Sequence, residues 1–72
     1  MTLRDALSAA AAQLAGVSAT PRLDVELLAA FGLGISRDQL LLSGLDGPVP
    51  PDFEALVGRR LAHEPVAYII GE

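Results

Sequence analysis

The stretch Arg59-Arg60-Leu61-Ala62-His63-Glu64-Pro65-Val66-Ala67-Tyr68-Ile69-Ile70-Gly71-Glu72 decides how the rest of the chain is read. Its first part closes a helix: Leu61 completes an apolar stripe begun by Phe53, Leu56 and Val57, which recur at helical spacing. Arg59 and Arg60 fall in the last turn, where cations complement the helix dipole. Pro65 stops the helix, because it lacks an N–H and pushes Glu64 out of the α region. His63 then sits at the position just past the helix end, where a residue tolerant of positive φ is wanted. Val66, Ala67, Tyr68, Ile69 and Ile70 form a dense apolar run, readable as helix or strand. Ala67, Pro65 and the helix-rich surroundings favour a fifth, short helix. Tyr68 is expected to bury most of its ring with the hydroxyl at the rim. A largely exposed ring would instead point to packing against polypeptide beyond this stretch. An apolar run that ends without a polar tail reads as a junction to further chain.

Working back from this stretch, the helix that it closes begins at Pro51 or Asp52 and runs to about residue 62. Before it, Leu45-Asp46-Gly47-Pro48-Val49-Pro50 is a loop with an Asp-Gly turn signal, too short to link domains. A short helix spans about residues 37–42, with Ser36 as cap and Gln39 as its capping-box partner. Leu40, Leu41 and Leu42 are expected to be mostly buried, and Ser43-Gly44 to stop the helix. Another helix starts at Thr20, the N-cap, with Pro21 in the first position, where a missing N–H costs nothing. Leu23, Leu27, Leu28 and Phe31 are its expected core stripe, and Gly32 and Gly34 end it. The first helix covers about residues 2–15, capped by Thr2 with Asp5 three residues on. Leu3, Ala6, Leu7, Ala10 and Leu14 share one face, and Gly16 is the expected left-handed residue after it. The fold class that follows is all-α: a small antiparallel bundle of about five helices in one domain, residues 1–72.

The totals agree with that reading and exclude several classes of function. Seventy-two residues, 51% hydrophobic and with only 4% aromatic, fit an aliphatic helical core. There is no cysteine and only one histidine, so disulfides, thiolate sites and the usual zinc sets have no ligands. Five arginines against nine acids give a net charge of −4, the wrong field for direct nucleic-acid binding. No apolar run reaches the ~18–20 residues that span a bilayer, so no membrane association is expected. The expected compartment is the cytoplasm.

No catalytic, cofactor-binding or metal site emerges. Asp24 and Glu26 are two residues apart and do not share a helix face. His63 lacks a neighbouring nucleophile, and its structural role at the helix end is the simpler account. Gly32-Leu33-Gly34 lacks both a preceding strand and the third glycine of a dinucleotide loop. Arg59-Arg60 sits at the wrong helix end for phosphate. One of these two arginines is instead expected to reach Asp24 and tie the last long helix to the start of the second.

Three segments together resemble the PrmC/HemK family of peptide chain release factor glutamine methyltransferases. Pro21-Arg22-Leu23-Asp24-Val25-Glu26-Leu27-Leu28 resembles the P-R-x-D-A-E-x-L-L opening of that family's second helix. Ser36-Arg37-Asp38-Gln39-Leu40-Leu41 is similar to its next helix. Arg59-Arg60 with Glu64-Pro65-Val66-Ala67-Tyr68-Ile69-Ile70-Gly71 resembles its R-R-x-x-G-E-P-[VI]-A-Y-[IL]-x-G signature, with His63 where the family usually has glycine. The resemblance runs from about residue 3 to 72. The family's Asn-Pro-Pro-Tyr motif and its glycine-rich donor loop are absent.

The resemblance implies an N-terminal helical substrate-docking domain, followed in the family by a larger Rossmann-like catalytic domain expected beyond residue 72. The full-length enzyme would use S-adenosyl-L-methionine, bound by that C-terminal domain, to methylate the glutamine of the Gly-Gly-Gln loop of bacterial class-I release factors. Translation termination would be the process. The implied partners are the release factors and the chain's own catalytic domain. This fragment alone would hold no cofactor and be inactive. A free-standing helical adaptor, binding a partner through its apolar C-terminal segment, is the alternative.

Overall fold

A computed structural model of the chain describes residues 1–71; the Glu72 that ends the quoted stretch lies outside the described residues. Five helices follow in order: α1 (Leu3–Leu14), α2 (Pro21–Leu33), α3 (Arg37–Gln39), α4 (Phe53–Leu61) and α5 (Val66–Ile69). The α3 helix runs on into a single π-helical turn, Leu40–Gly44. The described residues contain no strand. The all-α class and the short fifth helix are as the sequence reads them.

The α1 helix starts where the capping box places it. The Thr2 hydroxyl accepts from the Asp5 N–H at 3.4 Å, and the Asp5 carboxylate accepts from the Thr2 N–H at 3.3 Å. Two further N–H groups of its first turn, which no helical carbonyl can reach, are taken by the loop after the π turn. Leu3 donates to Gly47 O at 3.1 Å and Arg4 to Leu45 O at 2.9 Å. That loop is held by the Asp-Gly turn, closed by Gly47 N–H to Gly44 O at 3.2 Å. Leu3, Ala6, Leu7, Ala10 and Leu14 are all buried, the face that the spacing specifies. Gly16 does not take the left-handed conformation expected of it. The chain turns instead with Val17 and Ser18 both donating to Leu14 O, at 3.0 and 2.9 Å.

Helix α2 departs further from its reading. Its core face is Val25, Leu28, Ala29 and Ala30, while Leu23 and Phe31 are 39% and 48% exposed. The helix carries apolar residues nearly all round. Its buried side carries the small residues Ala29 and Ala30, which allow a partner helix to approach closely. Thr20 precedes the helix but makes no capping bond. Gly34 closes it with φ 71°, as a left-handed cap should. Gly32 does not end the helix. It lies inside the last turn, where a Cβ would come within 2.9 Å of Asp52 Oδ1 and 3.0 Å of Pro50 Cβ.

Of the three consecutive leucines only Leu40 is buried; Leu41 is 38% and Leu42 85% exposed. Successive helical residues point roughly 100° apart, so a run of three cannot all face one core. Leu61, expected in the α4 stripe, is 37% exposed, while Phe53, Leu56 and Val57 are buried. Leu3, Leu7, Leu14, Val25, Leu28 and Leu40 are fully enclosed, each such side chain contributing about 1.5–3 kcal/mol relative to exposure.

Candidate functional site

Among the described residues, buried carboxylates are confined to one turn of α2, and both make hydrogen bonds within the fold. Asp24 and Glu26 are buried on α2 and, being two residues apart, each serves a different neighbour. Asp24 Oδ2 accepts from Arg60 Nε at 3.1 Å and from the Ser18 hydroxyl at 2.6 Å. Its Oδ1 accepts from the Thr20 hydroxyl at 3.2 Å. Arg60 also donates to Val17 O and Glu64 O, each at 3.4 Å. The expected tie between the end of α4 and the start of α2 is therefore present, made by Arg60.

Glu26 forms a second node that the sequence reading missed. Its Oε2 accepts from Arg22 Nε at 2.8 Å and its Oε1 from Arg37 Nε at 2.9 Å. The Arg22–Glu26 spacing of four was the available signal. Arg37, across the α2–α3 turn, carried none. Among the described residues no buried side-chain polar atom lacks a partner.

Arg59 and Glu64 pair on the surface. Arg59 Nε and Nη2 donate to the two Glu64 oxygens at 2.9 and 3.0 Å. The hydrogen bond from Arg59 holds the Glu64 carboxyl below its usual range, and the same bond raises Arg59 above its own. His63, between them, has φ 72°, the left-handed position expected of it, and is exposed. Tyr68 corrects an expectation: it is 70% exposed, because α5 is one turn long and Ile69 takes the inward position.

Two concave surfaces stand out among the described residues. The larger, about 560 Å³, lies between α1 and α4. Its walls are Ala6, Ala9, Ala10 and Gln13 on one side and Glu54, Val57, Gly58 and Leu61 on the other, and Val49, Pro50 and Pro51 close one end. The smaller, about 210 Å³, is lined by Leu27, Phe31, Ile35, Arg37 and Ile70, against α2. Neither assembles a nucleophile with a base. No group of three or more His, Cys, Asp or Glu able to hold a metal exists among the described residues. Among the described residues no helix is long and apolar enough to cross a membrane.

The sequence matches known proteins along nearly its whole length. The family model described as the PrmC N-terminal domain matches residues 5–71. A release factor glutamine methyltransferase of Mycolicibacterium smegmatis is 44% identical over 73 residues, covering 96% of this chain and 25% of that protein. One from Bordetella pertussis is 49% identical over 55 residues, covering 71% of this chain and 20% of that protein. A 4-amino-L-phenylalanine/4-methylamino-L-phenylalanine methyltransferase of Streptomyces pristinaespiralis is 42% identical over 73 residues, covering 97% of the chain and 25% of that protein. The chain spans about a quarter of the length of the curated relatives it matches along most of its length. No solved structure matches it.

Proposed function

The chain belongs to the PrmC N-terminal domain family, and from that premise we propose that it is the substrate-docking domain of a protein-glutamine N-methyltransferase. The substrate is the glutamine of the Gly-Gly-Gln loop of bacterial class-I release factors, the donor is S-adenosyl-L-methionine, and the process is translation termination. The observation that carries this reading is the family match over residues 5–71, on a chain whose two buried carboxylates, Asp24 and Glu26, are paired with arginines inside the fold. A match to methyltransferases along nearly the whole chain also weighs against a free-standing adaptor.

The residues described do not fit the methyl donor. The one glycine pair in a position to suggest a cradle is Gly32 and Gly34, and Pro50 and Asp52 fill the space at Gly32. The donor is accordingly assigned to a catalytic domain C-terminal to this chain. An amide nitrogen is a weak nucleophile, so its placement matters. The bundle contributes by binding a part of the release factor remote from the glutamine, and that binding energy fixes the reacting amide.

The Streptomyces relative favours a second reading, in which the complete enzyme methylates the amino group of a small aromatic amino acid. The full-length enzyme, a purified release factor and methyl-labelled donor separate the two. Label on the Gly-Gly-Gln glutamine is expected. Deleting residues 1–71 should lower kcat/KM for intact release factor by roughly tenfold or more, while KM for the donor stays unchanged. Label on 4-amino-L-phenylalanine and none on the release factor would replace the first reading by the second.

A further inference from the structure

We infer that the outward row of α2, Leu23, Leu27 and Phe31, together with the small cleft beside it, is covered by the chain's own continuation, the polypeptide that directly follows residue 72 in the complete enzyme. This rests on the two-domain reading proposed above and adds the face of the bundle against which that continuation packs.

Helix α2 has its polarity inverted. Its two acids, Asp24 and Glu26, are 7% and 5% exposed, while Leu23 and Phe31 are 39% and 48% exposed. The acids stay inside because arginines and hydroxyls take up their oxygens. The apolar row outside has no such account within the bundle. Leu23, Leu27 and Phe31 recur every fourth residue and form one inclined ridge, the feature that enters the groove of a packing partner. A helix apolar nearly all round belongs inside a larger core than these short helices supply. Beside the ridge, the cleft of about 210 Å³ is lined by Leu27, Phe31, Ile35 and Ile70, with Arg37 the one charged residue in its lining.

Position and size select the occupant. Ile70 is a wall of the cleft, and Gly71 follows it with φ 79°, turning the chain directly beside that wall. Three further residues reach at most about 10 Å. The family is that of an N-terminal domain, and the methyltransferase of Mycolicibacterium smegmatis is matched over only 25% of its length. In the complete enzyme the continuation therefore starts at this edge. A separate protein needs about 800 Å² from each side for a stable interface, roughly a fifth of the 4130 Å² that the chain exposes. One row of three side chains and a cleft of this volume fall short of that, for a substrate protein and for a second copy alike. A tethered segment has no such requirement, because a short link holds it at an effective concentration of about millimolar. The occupant presents apolar side chains to the ridge and an acceptor, a carbonyl or carboxylate, to Arg37, which Glu26 holds in place at 2.9 Å.

The test uses the full-length enzyme with Phe31 replaced by the photo-crosslinker p-benzoylphenylalanine, irradiated with and without purified class-I release factor. Residue 31 should be joined to a peptide of the same chain from just beyond residue 72. A crosslink only to the release factor, only to a second copy, or to nothing would overturn the inference. Hydrogen exchange of the full-length enzyme gives an independent readout. Phe31→Ser should speed exchange of the amides just beyond residue 72 by roughly tenfold and leave the α1 amides as they are. Leu42→Ser, 85% exposed and away from the ridge, should exchange as the parent does. Unchanged exchange beyond residue 72 in Phe31→Ser would overturn the inference as well. So would faster exchange in α1, by giving Phe31 a role within the bundle. Methyl transfer to the release factor is scored on the parent enzyme. The expected crosslink in an enzyme that leaves the release factor unlabelled would remove the function proposed above and leave this packing in place.

Discussion

Helix α4 meets α2 along one side and α1 along the other, and the two seams are built differently. The α2 seam is fastened at both ends. Arg60 at the end of α4 is bonded to Asp24 at the start of α2, and Pro50 and Asp52, just before α4, crowd Gly32 near the end of α2. The two helices are thereby held antiparallel and in register. The α1 seam is joined at its base by Phe53 and Val57 but opens into the groove above, where Gly58 touches nothing. The same short helix thus carries an arginine and a glycine with opposite meanings: one closes a contact, the other keeps a surface clear.

The sharpest way to break this comparison is at the ion pair. Asp24→Ala should cost about 3 kcal/mol, because it leaves the guanidinium of Arg60, whose side chain is only 16% exposed, without its carboxylate. The Ser18 and Thr20 hydroxyls lose their acceptor as well. For a chain of this size the unfolding midpoint should fall by on the order of 10 °C or more. A fall of only a degree or two would show that the α2 seam is not held at this end.

The glycines give the next test, with opposite signs on the two seams. Gly32→Val should destabilise by about 2 kcal/mol, since the branched side chain must displace Pro50, a ring with little freedom to move. Gly58→Ala should stabilise by about 1 kcal/mol, the difference in helix propensity with nothing to clash. Chemical denaturation of both variants measures the contrast. Two changes of the same sign would erase the distinction between a closed and an open seam.

How legible these seams are in the sequence depends on what sets each residue's direction. The start and the buried face of α1 were readable, because Thr2 and Asp5 mark its cap and Leu3, Ala6, Leu7, Ala10 and Leu14 one face; its end at Gly16 was not. The buried face of α2 was not readable. Leu23, Leu27 and Phe31 outweigh Val25, Ala29 and Ala30 in any count of hydrophobicity, yet of the expected stripe only Leu28 joins the smaller residues in the core. That preference is set by a partner helix and leaves no mark on α2 itself. The Asp24–Arg60 pair was foreseeable from opposite charges on helices that must pack. The Glu26 node needed Arg37, brought across by a turn whose direction the sequence does not state. The groove was invisible, since it is a space between two helices distant in the chain. His63 was readable because a helix end demands positive φ whatever surrounds it, and His63→Gly should add about 1 kcal/mol by relieving that conformation.

The smallest effect is expected one residue away from the strongest. Arg59 adjoins Arg60 in sequence, but the rotation per residue turns it outward, where its side chain is 44% exposed and pairs with Glu64 at 31%. Such a pair is screened by water and contributes little at neutral pH. Its signature is in the pH dependence. The Glu64 carboxyl is held below its usual 4.5 in the folded chain by the Arg59 hydrogen bond. Its contribution is therefore fully present above that value and is lost as pH falls through the lower, folded one. The stability difference between the parent chain and Glu64→Gln should narrow as pH is lowered from about 7 to about 3, because the parent alone loses the charge. Every other carboxylate is common to both proteins, so its contribution cancels in the difference. If the gap instead stays constant, the charge of Glu64 contributes nothing, and the surface member of this adjacent arginine pair is held by shape and hydrogen bonding alone.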